Sequence, residues 1–212
     1  AAINAARHNR KFICNQDVKE SFVKVGIGAE KKSRVISEKE KRITAYHEAG
    51  HAILFHVLPD VGPVHTVSII PTGVGAAGYT MPLPEKDEMF MTRGKMLQEI
   101  MVSLGGRIAE EVNYGTLGAG ALSDLERATE TAYAMVAYYG MSKKIGPISY
   151  YDSSGTRDTF TKPFSEQTAR DIDTEVRRII EEAYAKARGI IERKSEQINR
   201  MADLLLEKET IY

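Results

Sequence analysis

The stretch Ser37-Glu38-Lys39-Glu40-Lys41-Arg42-Ile43-Thr44-Ala45-Tyr46-His47-Glu48-Ala49-Gly50-His51 decides how the chain reads. Ser37 and Glu40 make an S-x-x-E capping box, the signature of a helix start. Ile43, Tyr46, His47, Gly50, His51, Leu54 and Leu58 then recur at helical spacing as far as Pro59. Inside that helix lies H-E-x-x-H. Residues four apart share one helix face, so His47 and His51 can converge on one zinc ion, with Zn–N bonds of about 2.0–2.1 Å. Glu48 points about 100° round the helix from His47. It can approach a zinc-bound water without being a ligand, which suits a general base. Gly50 costs about 1 kcal/mol relative to Ala inside a helix. Its presence predicts that another element passes close to this face.

A catalytic zinc needs a third protein ligand and an open position. Local spacing does not supply that ligand. His56 falls on another face, and His65, at the start of a strand, could in principle reach back. Glu110, Glu111 and Asp124 are the carboxylate candidates, and spacing leaves the choice among them open. The single cysteine, Cys14, excludes an internal disulfide, a C-x-x-C pair and a Cys-rich zinc site.

Around the motif the chain reads as mainly α (α+β). Val64 to Ile70 and Gly78 to Met81 alternate as two strands, a small β element beside the H-E-x-x-H helix. Helices are predicted over Met96–Val112, Ser123–Tyr139, Ser165–Ala187 and Ile190–Leu206. In the third, Ala169, Ile172, Val176, Ile179, Ala183 and Ala187 form an apolar stripe. Tyr150 to Pro163 reads as a surface loop. Gly73-Val74-Gly75-Ala76-Ala77-Gly78 matches G-x-G-x-x-G, but Tyr79 to Pro84 cannot open the helix a dinucleotide site needs. The eight methionines fall mostly at apolar helical positions and read as core.

Residues 1–30 differ from the rest. Ala1–Asn9 is an Ala-rich helical piece. Asn15 is placed to cap a second helix from Gln16 to Val25, with Val18, Phe22 and Val25 on one face. Glu30–Arg34 is a polar linker. The 212 residues carry 29 Lys+Arg and 29 Asp+Glu, which argues against binding a polyanion such as nucleic acid through bulk charge. With 42% hydrophobic and 27% charged residues the chain is globular. The longest nearly apolar run, Ala52–Leu58, is far short of a bilayer span. A chain that starts at Ala1 suggests a piece of a longer polypeptide.

Several motifs occur together and in order: H-E-A-G-H after Ser37–Arg42, Leu58-Pro59-Asp60, Val67-Ser68-Ile69-Ile70-Pro71, Leu104-Gly105-Gly106-Arg107-Ile108-Ala109-Glu110-Glu111, and Ala121-Leu122-Ser123-Asp124-Leu125-Glu126-Arg127-Ala128-Thr129. In these the chain from about Lys31 resembles the peptidase domain of the FtsH family, membrane-anchored ATP-dependent AAA+ zinc metalloproteases. The resemblance implies an Asp-zincin with one zinc per chain on His47, His51 and Asp124, and Glu48 as catalytic base. It implies domains at 1–30, the end of an AAA+ ATPase lid, and at 31–212, the peptidase. It further implies a homo-hexamer, and unfolded or misfolded protein substrates that add to the strand edge at Val67, Ser68, Ile69 and Ile70. ATP would bind only in an upstream module. The membrane anchor would also lie upstream, leaving this part soluble on the cytoplasmic or organelle-matrix side. The family usually places two hydroxyl residues where this chain has Gly118-Ala119, so a more flexible loop before Asp124 is expected. A non-catalytic hexamerisation or substrate-holding module is the alternative function. It could lose Glu48 at no structural cost, so the intact glutamate favours the enzyme.

Overall fold

A computed structural model of the chain describes residues 1–26, 28, 36–72, 76–83, 90–151 and 163–212. The elements are α1 (Ala2–Arg7), α2 (Asn15–Gly26), α3 (Glu38–Val57), β1 (Val64–Ser68), β2 (Tyr79–Pro82), α4 (Arg93–Tyr114), α5 (Leu122–Tyr133), α6 (Glu166–Arg193), α7 (Ser195–Lys208) and β3 (Thr210–Ile211). The fold is mainly helical with one small antiparallel sheet, as the sequence implies.

The capping box forms as expected. The Ser37 hydroxyl accepts from the Glu40 N–H, and Glu40 Oε2 accepts from the Ser37 N–H, each at 3.2 Å. The capped helix α3 packs against α4, α7 and both of the first two strands. Ala45, Ala49 and Leu54 of α3 are fully buried, together with Ile100 and Ile108 of α4 and Ile198 and Leu205 of α7. Gly50 meets α4 as its composition predicts. A β-carbon there would stand 2.4 Å from the Gly105 carbonyl oxygen, and one at Gly105 would stand 2.9 Å from the Gly50 oxygen. The two helices therefore cross at backbone contact.

The sheet order is β2-β1-β3. β1 pairs with β2 from Val64↔Pro82 to Ser68↔Tyr79. On its other side Val67 and Ser68 pair with Ile211 and Thr210. The two-residue β3 is too short to show alternation in the sequence, and it was not expected. It changes the reading of Val67–Ile70. These residues were expected to offer a free edge, but Val67 and Ser68 are paired on both sides. The Ile69 N–H donates to the Glu209 oxygen at 2.9 Å, and the Ile70 N–H donates to the Ser68 hydroxyl at 3.2 Å. The outer strands are β2 and β3.

Other boundaries moved for clear reasons. A break between Ala187 and Ile190, where Gly189 stands, was expected, yet α6 runs on to Arg193. Ala187 and Ile191 on either side are fully buried, and that packing outweighs the weak helix propensity of one glycine. The break falls at Lys194 (φ −105°). The expected helix to Tyr139 changes to a π turn over Ala134–Tyr138, closed by the Tyr139 N–H on the Ala134 oxygen. Helical periodicity does not distinguish such a turn.

In α2, Asn15 is the first helical residue and not a cap. The bond at this end runs from the Cys14 N–H to Asp17 Oδ2 at 2.9 Å, and Arg10 holds the same buried carboxylate at 2.6 Å. Val18, Phe22 and Val25 are 51%, 45% and 88% exposed, whereas Val23 is buried in a small cluster with Tyr79 and Met81 of β2. The linker at 30–34, most of the loop at 150–163, and three glycine-loop residues at 73–75 fall outside the described residues. After that loop comes β2, not a helix.

Candidate metal centre

The site is built by α3, α4, β2 and the start of α5. His47 and His51 lie one turn apart on α3, and Asp124 stands in the first turn of α5. Their closest atoms form a triangle. His51 Nε2 is 3.0 Å from His47 Nε2, and Asp124 Oδ2 is 3.2 Å and 3.5 Å from the two nitrogens. Ligands on a tetrahedral ion with bonds of about 2.0–2.1 Å stand about 3.3 Å apart. The triangle therefore has the size of one face of a zinc coordination sphere. Among the described residues this is the group that could hold a metal ion.

The hydrogen bonds behind the triangle fix the tautomers. His51 Nδ1–H donates to the Val102 carbonyl at 2.8 Å, and His47 Nδ1–H donates to Glu110 Oε1 at 2.6 Å. A carbonyl and a carboxylate can only accept. Both Nε2 atoms therefore face inward, the arrangement that outer-shell partners impose on metal-binding histidines. Lone pairs and a carboxylate oxygen at these distances repel unless a proton or cation lies among them.

The electrostatics say the same. Burial alone would lower the His47 pKa, but hydrogen bonds to Asp124 and Glu110 and the Glu48 charge outweigh it, raising the pKa to about 10. Burial raises Asp124, yet the two imidazoles hold it far below the usual carboxylate range. Burial raises the Glu48 pKa against the opposing pull of both histidines. Three carboxylates around two imidazoles make a centre suited to a cation.

Glu48 is buried beside the triangle. The Thr80 hydroxyl donates to Glu48 Oε2 at 2.7 Å. Gly78 brings β2 close: a β-carbon there would stand 2.9 Å from Glu48 Oε1 and 2.7 Å from the Ser68 carbonyl oxygen. His47, Glu48, His51 and Asp124 all line one cavity of about 790 Å³, with Tyr79–Pro82 of β2 along its wall.

The remaining candidates fall elsewhere or take other roles. Glu110 reaches the site through His47 Nδ1, not through the triangle. Its other oxygen accepts from the Gly118 N–H at 3.2 Å, which ties down the loop expected to be flexible. Glu111 turns to α6, bonded to Tyr184 and to Arg188 at 2.8 Å. His56 and His65 line a different cavity, of about 590 Å³. Val67, Ser68 and Ile69 are buried in the sheet. Sequence reading missed Thr80, Val102 and Gly106. The first two act through a hydroxyl and a backbone carbonyl at long range, and no local pattern marks them. Gly106 sits under the His47 ring. Its place in Gly105-Gly106, with Gly50 opposite, was the one available signal.

A mainly helical domain with an H-E-x-x-H helix and a converging carboxylate has the features of a metallopeptidase. Comparison with known proteins narrows this class: the family model of peptidase family M41 matches residues 34–212, and the chain belongs to that family. It is 44% identical over 218 residues to ATP-dependent zinc metalloprotease FtsH 3 of Petrotoga mobilis, covering all of this chain and 34% of that protein. It is 45% identical over 216 residues to ATP-dependent zinc metalloprotease FtsH of Caldicellulosiruptor bescii, covering all of this chain and 35% of that protein. For the Thermotoga maritima protein of the same name the values are 44% over 216 residues, 100% and 35%. The chain thus spans about a third of the length of the curated relatives it matches. No described helix is long and apolar enough to cross a membrane.

Proposed function

We propose that this chain is the zinc endopeptidase part of an ATP-dependent protease and cuts unfolded or extended polypeptide. The observation that carries the reading is the triangle of His47 Nε2, His51 Nε2 and Asp124 Oδ2, with buried Glu48 beside it. These three residues would hold the zinc in an Asp-zincin arrangement. When bound there, zinc would polarise the scissile carbonyl and lower the pKa of its water from 15.7 to about 7. Glu48 accepts the proton of the attacking water and returns it to the leaving amine. The Thr80 hydroxyl orients the Glu48 carboxylate for both transfers. Glu110 and the Val102 carbonyl hold the two imidazoles in the ligating tautomer.

The substrate strand adds along β2, because of the two outer strands β2 is the one that lines the metal cavity. Residues 1–30 are the end of an upstream ATPase module and 31–212 the peptidase. The full protein is a membrane-anchored homo-hexamer that feeds misfolded proteins to this site from the cytoplasmic or matrix side. The names of the relatives support the zinc and ATP parts of this reading, and the resemblance in motifs supports the rest.

Zinc content per chain and cleavage of an unstructured peptide test the reading together. Glu48→Gln is expected to keep one zinc and lose cleavage by about a thousandfold, within the range for a lost general base. Asp124→Ala is expected to lose both zinc and cleavage. Turnover by Glu48→Gln at the rate of the unmodified chain would remove Glu48 from the chemistry.

A further inference from the structure

We propose that a second cavity beside the metal cavity is a substrate subsite where Arg127 selects an acidic side chain near the bond being cut. The inference rests on the peptidase reading above. The second cavity has a volume of about 730 Å³ and shares Phe55, Pro82, Val102, Ser103 and Arg127 with the metal cavity. The two are therefore one continuous groove.

β2 leads from one to the other. Tyr79 and Thr80 line the metal cavity, Pro82 lines both, and Leu83 lines the second. An extended chain rises about 3.3 Å per residue and alternates its side chains. A polypeptide laid along β2 with its scissile bond by Glu48 and Thr80 thus reaches the second cavity about two residues away. Helix α5 runs the same way. Asp124 and Arg127 are one turn apart on it, and Thr131, one turn further, lines the second cavity.

The chemistry of the second cavity selects the guest. Its wall is apolar at Phe55, Val61, Leu83, Phe90 and Val102. Of its charged groups, Asp60 holds Gln98 at 2.6 Å, and Lys95 and Glu99 have interactions of their own. Arg127 is exposed and has no ion pair or side-chain hydrogen bond among the described residues. A free guanidinium is a fork for a carboxylate. A glutamate side chain matches both features, its methylenes on the apolar wall and its carboxylate on Arg127. Arg127 is a single side chain, so the preference is confined to the position that faces it.

The test uses the zinc-loaded chain and one unstructured peptide, with Glu, Gln or Lys at each of three positions on either side of the cut. At one position kcat/KM for Glu is expected to exceed that for Gln about fivefold, the upper end for an exposed ion pair. That ratio should shrink at about 0.5 M salt. Arg127→Gln brings the ratio to about one, Arg127→Glu makes Lys the preferred residue, and Arg127→Lys keeps part of the preference. A ratio near one at every position in the unmodified chain overturns the subsite, as does an unchanged ratio in Arg127→Gln. Binding of the same peptides, read by fluorescence anisotropy, separates the two readings. Cleavage without a Glu preference sinks the subsite alone. A Glu preference in binding that depends on Arg127, with no cleavage, sinks the peptidase alone.

Discussion

Gly106→Ala tests the architecture of the centre at one atom. A β-carbon at Gly106 would stand 2.5 Å from His47 Cε1 and Nε2 and 2.6 Å from Cδ2. Carbon atoms rest at about 3.5 Å, so the imidazole must move by about 1 Å. Zinc sites tolerate about 0.2 Å in a ligand distance. The displaced ring also strains its bond to Glu110, and losing an outer-shell partner alone costs 10- to 100-fold in affinity, as a rough range. Zinc affinity is therefore expected to fall about a hundredfold. The assay is competition with a chromophoric chelator, with thermal melts in excess chelator to follow folding separately. In those melts the better helix propensity of alanine, about 1 kcal/mol, offsets part of the clash. Gly120→Ala is the control, since a β-carbon there meets nothing within 4 Å. It should bind zinc like the unmodified chain. Zinc affinity of Gly106→Ala within about twofold of the unmodified value would refute the reasoning, because the ring would then not be seated on the α4 backbone.

Thr80→Val keeps the shape of the side chain and removes the donor to Glu48. A hydrogen bond to a charged group contributes about 1.5–3 kcal/mol, so kcat should fall tenfold or more, as an order of magnitude, with zinc content unchanged. An unaltered kcat would show that Glu48 needs no such support. Away from the site, the Glu175 carboxyl is held below its ordinary value of 4.5 by Arg178 and Ser142, against the effect of burial. A depressed carboxylate stabilises the fold above its unfolded pKa, and that stability is lost as pH falls through the folded value. Glu175→Gln should therefore melt lower than the unmodified chain near pH 6, with the gap closing towards about pH 3. A gap that stays constant over that range would mean the Glu175 charge contributes nothing.

The fold was legible where its signals are local. The capping box at Ser37 and Glu40, the four-residue spacing of His47 and His51, and the apolar stripe of α6 each lie within a few residues. What the sequence hid is long-range. Asp124 is 77 residues from His47, and spacing alone could not rank it above Glu110 or Glu111. Resemblance to a family favoured it, and the geometry brings its oxygen to both imidazoles. The pairing of β1 on its second side was hidden for a similar reason. Val67 and Ser68 look like part of an open strand until Thr210 and Ile211 return from the far end of the chain to pair with them. A two-residue strand has no periodicity to read.

Helix α4 ties these long-range pieces together. It supplies the Val102 carbonyl to His51, the Gly105 and Gly106 backbone beneath α3, and Glu110 to both His47 and the Gly118 N–H. Glu110 thereby links the first ligand to the loop that leads into Asp124. The bonds to His51 and His47 need α3 and α4 at close approach, since the Val102 carbonyl and the Glu110 carboxylate must both reach rings on α3. The Gly50–Gly105 crossing permits that distance. A larger residue at either position would push the helices apart and stretch the Val102 and Glu110 bonds together. The glycines at the crossing, which supply no ligand atom themselves, thus set the geometry of both histidine ligands.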